Sequence, residues 1–152
     1  MTKPDAFDAA LAALRRRERT TAELATWLGG RGYASADVEV AVARLVEEGE
    51  LDDERFARRY AEDKRELAGW GAERIREALL AKRVDRSTIE ATLATDSHAD
   101  QLERAGHVLA RRSRSLGDNA ERQRALDYLA RRGYDYEIAY EAVRRAASPR
   151  AA

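Results

Sequence analysis

The chain has 152 residues, 37% of them charged, and its 28 basic and 28 acidic side chains cancel. That balance excludes a nonspecific polycation, the absence of cysteine excludes a disulfide framework or a thiolate metal site, and no apolar run approaches the 18 or so residues of a membrane span. The opening "MTKPDAFDAALAAL" carries Asp5 and Asp8 and no basic n-region, so it does not read as a secretory signal, and the chain is expected to be a cytoplasmic protein of one compact domain or a few very small ones.

The two prolines, Pro4 and Pro149, stand near the ends, and Ala, Arg, Glu and Leu recur with apolar residues three and four apart. This is the period of helices packed on one face, and an all-α fold is predicted. The first helices are expected over 6–17, 21–31 and 36–48. Thr20 with Glu23 forms a capping box for the second, and Gly32 in "WLGGRGY" stops it as a left-handed C-terminal residue does. The next are expected over 53–68, 71–83 and 87–95, with Ser87 and Glu90 as another capping box. The last three are expected over 99–114, 118–132 and 135–147, with Asp118 and Glu121 capping the middle one.

These nine elements are three copies of one pattern. Leu24, Leu28, Tyr33 and Val38 fall on Ile75, Leu79, Val84 and Ile89 at an offset of 51, and Trp27, Leu28, Gly32 and Tyr33 fall on Tyr128, Leu129, Gly133 and Tyr134 at an offset of 101. A period near 50 residues with three helices in each copy predicts tandem three-helix repeats over 5–50, 51–97 and 98–148, joined by "GELDD" and "TDSHAD". A bundle of that size buries little apolar surface alone. Serial stacking of the copies is the remedy, and it predicts an elongated, curved arrangement.

In "LAGWGAERIREAL" the glycines Gly69 and Gly71 break what would otherwise be one rod from 53 to 83. Trp70 between them is expected over the core of its repeat beside Phe56 and Tyr60, or else as an exposed partner contact. No catalytic constellation emerges. His98 and His107 have no nucleophile beside them, the serines and threonines lie mostly at helix starts, and no phosphate-binding glycine motif occurs. The acidic run "EEGELDDE" has no calcium-loop spacing. Its Asp52, Asp53 and Glu54 lie where a helix begins, which suits the dipole. No enzyme activity, cofactor or metal is predicted.

Charge is uneven along the chain: residues 35–54 carry −7, whereas 55–86 and 101–152 carry +4 each. Of the basic residues 25 are Arg, a side chain suited to carboxylate, phosphate and flat surfaces. Pairing with the interspersed acids explains many single residues. The set as a whole reads as an electropositive strip for phosphate or an acidic protein surface.

The segments "LDDERFARRY" (Leu51–Tyr60) and "GWGAERIREAL" (Gly69–Leu79) resemble the RecX family of recombination regulators. Residues 15–53 are similar to that family's first repeat and 129–145 to its last, so the resemblance runs from about 9 to 147. It implies a modular fold of tandem three-helix repeats and a monomer that binds the RecA recombinase, chiefly as its filament on single-stranded DNA. Such a protein modulates, and usually inhibits, ATP hydrolysis, strand exchange and co-protease activity from within the filament groove, with weak direct DNA contact in some members. Charge and motif together mark Arg58, Arg59, Arg65, Trp70, Arg74, Arg76, Arg111, Arg112, Arg131 and Arg132 as partner or DNA contacts. The alternative is a helix-turn-helix-like DNA-binding module acting without RecA, and zero net charge argues against it. A third reading is a helical-repeat adaptor for another protein.

Overall fold

The computed structural model describes residues 2–148. Nine helices and no strands occur among them: α1 (Ala6–Arg16), α2 (Thr21–Gly30), α3 (Ser35–Glu47), α4 (Asp53–Ala68), α5 (Ala72–Ala81), α6 (Arg86–Ala94), α7 (His98–Arg112), α8 (Asn119–Arg131) and α9 (Tyr136–Ala147). They follow the expected elements to within one or two residues at each end. The short polar residues before the helices act as caps. Asp5, Thr20, Ser97, Asp118 and Asp135 each accept a bond from the backbone N–H three residues on, and Thr20 with Glu23 closes the full capping box. Each such cap contributes about 1 kcal/mol. At α6 the expectation fails by two positions. The helix begins after Asp85, and Ser87, placed inside it, turns its hydroxyl to the Asp85 carboxylate.

The chain forms two compact units. One holds the described residues up to Arg59 together with Leu79–Ile89, and the other holds Tyr60–Ala78 together with the described residues from Glu90 onward. In the first unit α1 packs on α3 through Ala9, Ala10 and Ala13, whose small side chains allow close approach, and Leu24, Leu28, Val38, Leu45 and Leu51 complete the core. The start of α2 is tied down twice. The Thr21 N–H and hydroxyl both donate to Asp53, at 2.8 and 3.0 Å, and the Thr20 hydroxyl donates to the Lys82 carbonyl at 2.9 Å. The acidic run therefore serves helix starts, since Asp52 also accepts from the Arg55 N–H.

In the second unit α7 and α9 form the main pair and α8 lies on α9, around Leu102, Ala105, Val108, Leu109, Leu129, Tyr134, Ile138 and Val143. The repeat register is visible in burial. Leu24 and Ile75, Leu28, Leu79 and Leu129, and Val38, Ile89 and Ile138 are all buried.

The two glycines flanking Trp70 have different duties. Gly69 adopts φ +65° and ends α4, with the Trp70 N–H donating back to the Lys64 carbonyl. Gly71 is outside the left-handed region, and its duty is close contact. It lies against Gly133, where a Cβ would stand 2.5 Å from the Gly133 carbonyl.

Candidate partner-binding surface

The Gly69–Gly71 turn is fixed by the α8–α9 turn. The Gly71 N–H donates to the Arg132 carbonyl at 2.8 Å and the Glu73 N–H to the Gly133 carbonyl at 2.9 Å. The buried Tyr134 hydroxyl donates to the Gly69 carbonyl at 2.8 Å, and the Arg132 guanidinium donates to the Ala68 carbonyl. On this frame Trp70 is half-buried. Its ring meets Tyr60 edge-on at 6.3 Å, as expected, while Arg74 and Lys64 stand over it at 4.2 and 4.8 Å from the centroid. A cation over an indole face gains about 0.5–1 kcal/mol at an exposed site. The result is a rigid aromatic platform with cations on its outer side.

Behind the turn lies a buried ion cluster. Arg104 grips the Asp96 carboxylate with two bonds, at 2.6 and 3.2 Å, and also donates to the Trp70 carbonyl at 3.1 Å. Arg65 stands 3.4 Å from the same carboxylate. The Asp96 side chain is 3% exposed, so removing it would leave the Arg65 and Arg104 guanidiniums side by side without a counterion, which typically costs several kcal/mol. Burial lowers the Arg65 pKa and acts to lower that of Arg104, but for Arg104 the bonds and charge of Asp96 outweigh it, and its pKa is raised. The sequence reading passed over Asp96 as part of a linker. Its only local signal is an acid in a connector between two arginine-bearing helices.

The ten predicted contact residues divide by what already holds them. Arg65 serves the Asp96 cluster. Arg76 pairs with both Glu73 and Glu90, at 2.6 and 2.7 Å, and its pKa is raised by the bonds to Glu90 and then Glu73. Arg132 serves the turn, and with Arg112 it stands over the Tyr128 ring, at 5.4 and 5.2 Å. In the first unit Arg59 pairs with Glu18 at 2.6 Å on the surface. Arg74 is exposed beside Trp70, and Arg58, Arg111 and Arg131 are exposed with no ion pair among the described residues. Arg111 lines, with Arg65, Glu62 and Glu66, a shallow cleft of about 440 Å³. The strip is therefore partly internal bracing, and its outward cations are fewer than the composition suggests. Sequence reasoning also missed Tyr136 and Tyr140 on α9, which are exposed and stacked 5.9 Å apart. Their four-residue spacing before Arg144 was the available sign. Nothing in this arrangement sets a nucleophile beside a base; it offers cations and aromatic faces, the chemistry of a binding surface.

Comparison with known proteins agrees with this architecture. Models of the first, second and third three-helix domains of RecX match residues 6–45, 52–93 and 99–143. A regulatory protein RecX of Trichlorobacter lovleyi is 34% identical over 139 residues, covering 88% of this chain and 90% of the relative. One from Xanthomonas campestris pv. campestris is 38% identical over 128 residues, 83% of this chain and 78% of the relative. The crystal structure of RecX from Lactobacillus salivarius superposes with a TM-score of 0.84 at 19% identity, over 92% of this chain and 93% of that one, which shows a shared fold.

Proposed function

This chain belongs to the RecX family, and we propose that it regulates the RecA recombinase by binding its filament on single-stranded DNA. In this reading it acts as a monomer in the cytoplasm and lies in the filament groove. There it lowers ATP hydrolysis, strand exchange and co-protease activity without chemistry of its own. Binding that spans successive RecA subunits shifts assembly by mass action. The observation that carries the reading is the match of all three RecX three-helix domains, in order, along one chain. The outward Arg74 beside Trp70, with Arg111 and Arg131, supplies cations for an acidic protein face.

The test is titration of the chain into the single-strand-DNA-dependent ATPase of its cognate RecA. Inhibition below one chain per RecA is expected; unchanged hydrolysis at equimolar chain would overturn the reading. DNA binding without RecA is disfavoured because Arg65, Arg76 and Arg132 are held internally. It would instead appear as tight binding to DNA alone that falls steeply with salt.

A further inference from the structure

Two repeat-to-repeat joints in this protein are built from the same parts, and a third set of those parts is filled by the first residues of the chain. Arg31, Lys82 and Arg132 follow one another by 51 and 50 residues. Each precedes a residue in the left-handed region: Gly32 at φ +89°, Arg83 at φ +59° and Gly133 at φ +100°. Beyond such a helix end the carbonyl has no partner in its own helix and needs one elsewhere. At Lys82 that partner is the Thr20 hydroxyl, 2.9 Å away. At Arg132 it is the Gly71 N–H, 2.8 Å away. Thr20 and Gly71 stand directly before the middle helices α2 and α5 of the neighbouring repeats, so each joint sets the turn of one repeat on the start of a middle helix in another.

At Arg31 the donor is the Lys3 ammonium, 2.8 Å away. The likeness extends to the tyrosine. Tyr134 donates to the Gly69 carbonyl at 2.8 Å in one joint, and Tyr33, its counterpart at an offset of 101, donates to the Pro4 carbonyl at 2.6 Å. Lys3 also stands 4.0 Å over the Tyr33 ring. Lys3–Pro4 thus takes the place that Gly69–Gly71 takes at Tyr134.

The receiving half is filled in a similar way at the third repeat. The carbonyls just before α8, those of Leu116 and Gly117, accept from Arg122 Nε and Nη2, both at 3.0 Å. Counted back from the first residue of the helix, Leu116 and Gly117 stand where Gly69 and Trp70 stand before α5, and the Gly69 carbonyl is the one that accepts from Tyr134 in the joint. The α8 helix has 13 residues against 10 in α2 and α5, and the extra turn brings Arg122 to those carbonyls.

We infer that the Arg31–Tyr33 turn is a latent joint surface for the start of α8 in a second copy of this chain, and that Lys3–Pro4 and Arg122 are the stoppers that keep two copies apart. The inference is independent of the regulatory reading. A turn meeting a helix start is a head-to-tail contact, which propagates unless both halves are blocked.

The test uses two variants of the full chain. The double substitution Lys3→Gly with Pro4→Gly removes the ammonium and loosens the backbone over the turn. Arg122→Ala bares the Leu116 and Gly117 carbonyls. Each variant alone exposes one half of the joint, and each is expected to sediment as a monomer. Mixed in equal amounts they are expected to form a one-to-one complex, seen as a doubling of mass that reverses on dilution, and a chain carrying all three substitutions is expected to form longer series. A mixture that sediments as its unmixed components, with helical circular dichroism unchanged, overturns the inference. Association of the Lys3→Gly/Pro4→Gly variant with itself also overturns it, because that requires turn against turn. If that variant loses helix content, Lys3→Ala takes its place with the same two outcomes.

Discussion

Tyr134 combines three roles in one side chain: it fills the second unit's core, donates to the Gly69 carbonyl, and stands near the Arg104 guanidinium, 5.8 Å from its ring centroid. Burial raises its pKa above the ordinary 10.0, while the nearby Arg104 and Arg132 pull the other way. A raised value means that the folded state holds the phenol proton more tightly than the unfolded chain does. The associated stability is fully present below the ordinary value and is lost as pH rises through the raised folded one. Tyr134→Phe is therefore expected to cost about 1–2 kcal/mol at neutral pH, through the lost hydrogen bond and the carbonyl left without it. The same change should flatten the alkaline loss of stability. Urea denaturation of both chains at neutral and alkaline pH checks the two effects together.

Among the elements, the start of α5 and the end of α2 make opposite predictions for the same substitution. A Cβ at Gly71 would stand 2.5 Å from backbone atoms of Gly133, and backbone cannot rotate aside as a side chain can. Gly71→Ala is expected to destabilise by about 2 kcal/mol, in the range of overpacking. Gly29 lies inside α2 with open space where a Cβ would go, so Gly29→Ala is expected to stabilise by about 0.5–1 kcal/mol through lower backbone entropy and better helix propensity. Chemical denaturation of the two variants gives the sign of each. The helices, their caps and the repeat register were legible in the sequence because they depend on local spacing: Thr20 with Glu23, and Leu24 over Ile75. The duty of Gly71 was not, because its partner Gly133 belongs to another repeat and no local pattern names it. Arg83 escaped for a related reason. It holds a left-handed conformation where the other two copies use glycine, and its guanidinium bonds to the Ala22 carbonyl and the Thr26 hydroxyl supply a compensation invisible to local propensity. Asp96 looked like connector polarity until Arg65 and Arg104 were placed around it.

For the molecule as a whole, zero net charge and abundant arginine are reconciled by what the guanidiniums do. Many are structural, holding carbonyls and carboxylates of their own chain, and a smaller outward set remains for a partner. Arg76 is a poor site for charge reversal, since a glutamate there would join Glu73 and Glu90 and strain the fold. Arg74 and Arg111 are better placed. Reversing both to Glu is expected to weaken inhibition of RecA by about tenfold, equivalent to ~1.4 kcal/mol of binding, with the thermal midpoint lowered by only a few degrees for the lost Arg74–Trp70 contact. ATPase titration beside a melting curve separates the two effects, and undiminished inhibition would mean that these cations face only water.

The carboxylate held between Arg65 and Arg104 also bears on how the chain can be cut. The connector between α6 and α7 is pinned at its centre by Asp96, whereas residues 113–118 between α7 and α8 are largely exposed. A protease must draw several residues of extended chain into its cleft. A broad-specificity protease in limiting amount should therefore nick the native protein between α7 and α8 before it touches the connector between α6 and α7, and mass spectrometry of the earliest fragments would show α8 and α9 leaving together.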